Sequence, residues 1–314
     1  MLVNLVPEFL ATLAAPDPYA AYHEYLDRHR PVLSAYWQNY VLDPNSAHAE
    51  PIIETTLRAD RSDLRRLLDD VDVVAIAEDA LRRATDLLEA DAPVDLYVMV
   101  GVGAANAGEL VVGGRGIAFV CLEHFTGRAN AQTYGMGLAP QRLPLWIAHE
   151  VAHALRYTSP TSRATMRRLV GELGGYYDGW EVGSRATLRE LVVNEGAAIA
   201  ASQAVAPGFD PWEYFGYNRR QYRRLRELDS FLRRASASDL ETAGLGLRLR
   251  YLSGGMSPAA RLLAGKVLPE RSGYYLGLRL VESYCNEYGA ASTVRATVDE
   301  LRQADDRASG IQTA

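Results

Sequence analysis

Cysteine is nearly missing from this chain of 314 residues: Cys121 and Cys285 are the only two, far apart in sequence. They form no disulfide framework and offer no cysteine-rich metal site, so a reduced compartment suits the chain best. Basic charge is not in excess either. Its 33 lysines and arginines face 39 acidic residues, a formal net charge of −6, which argues against a general nucleic-acid binder. No apolar run approaches the length that spans a bilayer. The stretch MLVNLVPEFLATLAAPDPYAAYHEY lacks the basic start of a secretory signal and is broken by Pro7, Pro16 and Pro18. A cytoplasmic protein with neither membrane nor nucleic-acid partner is expected. Histidine is scarce as well, with six in the chain and none after position 153.

What is present is ordinary globular composition, 48% hydrophobic and 23% charged, with enough length for one large domain or two lobes. The first ninety or so residues read as helical; Val73, Ala77, Ala80, Ala84 and Leu87 make one apolar stripe. Pro93 ends that pattern. VDLYVMV, residues 94–100, reads as a buried strand, and ELVVGGRGIAFVCLEHF as two strands joined by a hairpin at Gly113-Gly114. Pro144 suits the first turn of one helix, and beyond it the spacing predicts helices over about 162–173, 186–205, 217–235, 258–268, 273–288 and 292–304. Segregated strands and helices predict an α+β fold. Three regions are expected: a helical region 1–92, a sheet subdomain with one helix over 93–160, and a helical lobe over 161–314.

The chemistry concentrates in LPLWIAHEVAHALRY, residues 143–157. Residues four apart share a helix face, so His149 and His153 can direct both imidazoles at one ion. Zinc accepts such nitrogens and leaves room for a third protein ligand and a water. Glu150 is placed to take that water's proton and pass it to a leaving amine. The bland reading is a pair of core histidines beside a solvated glutamate. Against it, Trp146, Ile147, Val151, Ala152 and Leu155 make the helix apolar, and burying two uncompensated imidazoles there is costly.

No histidine remains to complete the ligand set, and Arg156 stands where a metzincin would carry glycine. Glu172, Asp178, Glu181, Glu190 and Glu195 are the carboxylate candidates. Glu195 is favoured because LRELVVNEGAAIAASQAV is otherwise apolar and small, and a carboxylate buried there needs a strong partner. Gly196, Ala197, Ala198 and Ala201 would let its helix approach the motif helix closely. Asn194 or Glu190 would hold the imidazole N–H groups.

His149-Glu150-x-x-His153 with Asn194-Glu195-Gly196-x-Ala198 resembles the gluzincin branch of zinc metallopeptidases. More narrowly, RSGYYLGLRLVESY, residues 271–284, is similar to a C-terminal segment of the domain-of-unknown-function 2268 family of predicted Zn-dependent proteases. Gly273, Tyr274, Gly277, Arg279 and Val281 match that segment, while Leu278 replaces its second tyrosine. The similar region runs from about residue 94 to 288. The resemblance implies a zincin-like fold, a small mixed sheet over the motif helix with a helical lobe supplying Glu195. It implies an edge strand bordering the cleft, here within 108–122, and a hydroxyl donor to the oxyanion, Tyr274 first and Tyr275 second.

The resulting expectation is a hydrolase with one Zn2+ per chain, held by His149, His153 and Glu195, with Glu150 as base and a peptide or small amide as substrate. Two rivals share the scaffold. An Fe(II) oxygenase can use the same two-histidine-one-carboxylate set, but leaves Glu150 without a task. A binding module without turnover has no need to keep the base. Other signals are weaker. GVGAANAG has Asn106 where a dinucleotide fingerprint needs its third small residue, so it reads as a strand-end loop. The seven arginines of residues 218–234 read as a solvated face, with recognition of an acidic substrate as the sharper alternative. His124 reads as structural.

Overall fold

Four strands set the frame: β1 (Leu2–Asn4), β2 (Val94–Met99), β3 (Ala107–Val112) and β4 (Arg115–Cys121), in the order β1-β2-β4-β3. The structure is a computed structural model and describes residues 1–308. β1 and β4 run parallel to β2, whereas β3 runs antiparallel to β4 and forms an edge. The hairpin is where the sequence places it. Gly113 and Gly114 both take positive φ, 59° and 78°, which a two-residue turn matched to strand twist requires. β1 departs from expectation, because the first ninety residues read as wholly helical. Three residues are too few to show a strand period, and pairing with β2 decides their state.

Alternation along β4 sorts the two faces of the sheet. On one face Tyr36 and Tyr40 set their rings edge-on to Phe119, with centroids 5.3 and 5.0 Å away. Gly108 pairs with Phe119, and a Cβ there would lie 2.4 Å from the Tyr40 hydroxyl, so no side chain fits. On the other face lies the motif helix, Leu143–Thr158: a Cβ on Gly116 would meet Ala154 at 3.2 Å. Glu109, paired with Ala118, shares the parity of that second face. The motif helix is buried from Leu143 to Tyr157 apart from Pro144, as its all-round apolar sequence requires. Helix Val73–Leu87 also packs on it.

The second half is helical, though its pieces differ from the expected ones. Residues 258–268 do not form a helix. Leu262–Leu263 pairs with Lys266–Val267 instead, around Ala264 and Gly265 at φ 43° and 79°. Gly265 relieves the turn of steric cost and ends any helical run there. The stretch 217–235 divides into Arg219–Glu227 and Asp229–Ala235; 162–173 shortens to Thr165–Glu172. Helix Ser272–Arg295 is kinked where Gly289 takes φ 80°, and Val298–Ala308 follows. Among the described residues no helix is long and apolar enough to cross a membrane.

One close crossing aligns this half. Helices Leu188–Val205 and Ser272–Arg295 meet at Gly196 and Gly277: a Cβ on Gly277 would lie 1.8 Å from the Val192 carbonyl oxygen, and one on Gly196 2.2 Å from the Gly277 carbonyl carbon. Gly196 therefore serves the contact with the later helix, which corrects the expectation that it lets its helix approach the motif helix. Backbone meets backbone here, so no rotamer change can relieve an added methyl. Gly277→Ala is expected to destabilise by about 3 kcal/mol or more, read as a lower denaturation midpoint; a variant within 1 kcal/mol of wild type contradicts the packing.

Candidate metal centre

The helical spacing of four aligns the two motif imidazoles. His149 Nε2 and His153 Nε2 lie 3.1 Å apart, and both rings are buried. Glu195 enters from helix Leu188–Val205, its Oε2 3.3 Å from His149 Nε2 and 3.4 Å from His153 Nε2. For an ion with bonds of about 2.0–2.1 Å, the edge of a coordination tetrahedron is about 3.3–3.4 Å. Three donor atoms from two helices thus outline one face of such a tetrahedron. Two Nε2 atoms facing each other at 3.1 Å are poor partners for one another, since at most one bridging proton can serve both. The donor set of two imidazoles and a carboxylate suits zinc.

The other carboxylate candidates lie elsewhere for local reasons. Glu172 pairs with Arg168 and Arg185, and Asp178 caps helix Gly179–Arg185 by accepting from the Trp180 and Glu181 amides. Glu181 is exposed. Glu190 is turned toward Thr165 and Arg156. The expected partners of the imidazole N–H groups also need correction. Asn194 Nδ2 donates to the Tyr157 hydroxyl at 2.8 Å, Glu190 is on another face, and both Nδ1 atoms are buried without a hydrogen-bond partner. A residue one position before Glu195 is rotated about 100° from it on a helix, and the Asn194 amide is spent on Tyr157 rather than on an imidazole.

Around the three donors is a small polar cavity of about 160 Å3. Glu150 and Tyr274 line it, while Tyr275 packs away among Phe215 and Tyr222 at ring distances of 6.1 and 6.2 Å. The Tyr274 ring is 6.5 Å from that of His149. Asn39 and Tyr40 from the N-terminal helices close one side. Edge strand β3 contributes Glu109, whose carboxylate comes together with Glu150 and His153, their nearest ligand atoms within 4.8 Å. It accepts from the Tyr40 and Tyr157 hydroxyls, both at 3.0 Å. Reasoning from sequence missed Glu109 and Tyr157. Two signals were present: a lone charge inside a buried strand, and a third residue continuing the spacing of four after His149 and His153.

Electrostatics ties these groups to one another. Burial pushes the His149 imidazole toward the neutral form. Burial acts the same way on His153, but Glu195 and Glu109 override it and hold its proton up to about 10. For Glu195 burial favours the acid, yet His153 and His149 outweigh it and keep the carboxyl well below its ordinary range. These opposite shifts describe one buried ion pair that a metal ion would replace. Burial first, and Glu109 second, push Glu150 well upward. His124 is far from this chemistry: it is buried, and its Nδ1 accepts from the Met136 amide at 3.3 Å.

Comparison with protein-family models, curated proteins and solved structures finds no match to this chain. The centre therefore rests on its own geometry. Because the His153 pKa is raised on folding, its ion pair stabilises the metal-free protein fully below the unfolded pKa and fades as pH rises toward about 10. Zinc must displace that proton, so affinity should climb with pH through neutrality, with proton release visible by calorimetry in buffers of different ionisation enthalpy. Glu195→Ala should weaken zinc by more than the roughly 10–100-fold that loss of an outer partner costs. Affinity flat in pH, or indifferent to Glu195, would count against the centre.

Proposed function

We propose that this protein is a zinc-dependent hydrolase of peptide or amide bonds, built on a zincin-like frame. The single observation that carries the reading is the meeting of His149 Nε2, His153 Nε2 and Glu195 Oε2 at tetrahedral-edge distances, with Glu150 in the same cavity. When bound, the ion supplies Lewis acidity, polarising a carbonyl and making a water easier to deprotonate. The mixed sheet with its antiparallel edge strand beside the cavity supports the frame. The outward backbone groups of β3 are not free to pair with an extended substrate, however: the Tyr40 hydroxyl takes those of Glu109 and the Tyr177 amide takes the Val111 carbonyl. The similarity of residues 271–284 to the predicted protease segment agrees with this.

The chain's own residues divide the work. Glu150 takes a proton from the attacking water as its oxygen adds to the carbonyl carbon. It then delivers that proton to the leaving nitrogen as the C–N bond breaks, so the products are a carboxylic acid and an amine. Glu109 sharpens Glu150 as a base: a second carboxylate nearby raises its proton affinity, and the two tyrosine hydroxyls hold Glu109 as an acceptor. Tyr274 presents a hydroxyl to the carbonyl oxygen as negative charge develops there. Burial excludes competing water and strengthens each of these interactions.

An Fe(II) oxygenase would use the same donors, but it gives Glu150 no task. A non-catalytic binding module has no use for the Glu109–Glu150 pair. Glu150→Gln should keep zinc at one per chain and lower hydrolysis of a quenched peptide library by roughly 10^2–10^4-fold. If Glu150→Gln cleaves as fast as wild type, the base assignment is wrong.

A further inference from the structure

The cavity also has cationic lining. Arg248 and Arg271 both line it, together with the three ligands, Glu109 and Glu150. Arg248 is occupied: its Nη1 donates to the Gly179 carbonyl and its guanidinium lies over the Trp180 ring. Arg271 is different. Among the described residues it forms no ion pair; the neighbouring Glu270 pairs with Arg261 at 3.8 Å instead. Its guanidinium rests over the Tyr274 ring, 4.2 Å from the centroid, and faces Gly216, where a Cβ would lie 3.2 Å from both Arg271 Nη1 and the Trp146 ring. The Trp146 indole N–H, in the same wall, is buried without an acceptor.

The backbone shows the same commitment. Arg271 takes φ 56°, a left-handed conformation that costs a non-glycine residue of order 1–3 kcal/mol and persists only where its surroundings enforce it. The Tyr217 hydroxyl enforces it by donating to the Arg271 carbonyl oxygen at 2.5 Å. Among the described residues no carboxylate is in contact with this partly buried guanidinium, although Glu195 and Glu150 act on it across the cavity, so most of its donors are left for a ligand that supplies an anion. The charge balance points the same way. With a divalent ion counted, the cations of the cavity exceed Glu109, Glu150 and Glu195 by one formal charge.

Resting on the hydrolase reading, we propose that the substrate carries a free carboxylate close to the scissile bond, and that Arg271 is the specificity-determining residue that holds it. An arginine fork matches a carboxylate with two parallel hydrogen bonds, which a lysine cannot reproduce. The spacing sets a limit. From the guanidinium to the Tyr274 ring is 4.2 Å, and from that ring to the His149 ring is 6.5 Å, so the guanidinium is no farther from that imidazole than about three extended residues, and a carboxylate it holds falls within a few residues of the ion. A cavity of about 160 Å3 is also smaller than the roughly 300–1,000 Å3 of pockets for larger ligands. The substrate class is therefore short peptides or acylated amino acids with a free C-terminal carboxylate.

The test uses the zinc-loaded protein with N-acetyl-dialanine and its C-terminal carboxamide. Cleavage is followed with wild type, and binding by calorimetry to zinc-loaded Glu150→Gln, in which turnover is expected to be slowed by roughly 10^2–10^4-fold. Wild type should prefer the acid by roughly a hundredfold in kcat/KM, and Arg271→Gln should erase that preference, mainly through KM, at unchanged zinc content. Arg271→Lys, which keeps the charge and the cation over the ring, should retain part of it and serves if Arg271→Gln does not fold. Equal handling of acid and amide, or a preference that survives Arg271→Gln, overturns the proposal while leaving the hydrolase reading intact. Tight, Arg271-dependent binding of the acid by a protein that cleaves neither compound supports the carboxylate site and removes the hydrolase reading instead.

Discussion

Three lone-pair donors gathered in a buried space are the constraint on which the rest of the structure depends. His149, His153 and Glu195 bring their atoms within 3.1–3.4 Å of one another where water is largely excluded. Without a cation, such a cluster must trap a proton, and the high pKa of His153 and low one of Glu195 express that need. A divalent ion satisfies all three donors at once. Much of the surrounding fold then reads as support: an apolar helix carries the imidazoles, and a second helix must deliver one carboxylate to the same point.

Delivery of Glu195 depends on backbone contact more than on side-chain fit. The Gly196–Gly277 crossing locks helix Leu188–Val205 against Ser272–Arg295, and that later helix begins with Arg271 and Tyr274. One packing decision therefore places a candidate metal ligand, a candidate oxyanion donor and a candidate carboxylate anchor together. Arg156 fastens the far end. Buried at the tail of the motif helix, its Nη1 donates to the carbonyls of Val294 at 2.9 Å and Ala296 at 3.1 Å. The residue that departs from the metzincin glycine thus has a structural use, tying the motif helix to the end of the long helix.

Legibility from sequence followed the range of the interactions. His149, Glu150 and His153 were readable because helical periodicity is local, and Glu195 because a lone carboxylate in an apolar, small-residue helix is chemically conspicuous. The α+β class and the Gly113-Gly114 hairpin were readable for similar reasons. Strand β1 was not, since three residues show no period and their partner lies some ninety positions away in β2. Residues 258–268 misled because leucines near helical spacing outweighed one glycine whose positive φ makes a hairpin. Glu109 and Arg271 reach the cavity through sheet register and helix crossing, which no single stretch of sequence reports. Asn194 was adjacent in sequence yet rotated away in space.

The most direct measurement is X-ray absorption at the zinc edge on protein purified without added metal, with anomalous diffraction from its crystals to place the ion. Zinc with two nitrogen and one oxygen protein ligands at about 2.0–2.1 Å, plus one further light atom, is the expected result. Iron in that position, or an ion seated between Glu109, Glu150 and His153 with Glu195 free, would contradict it.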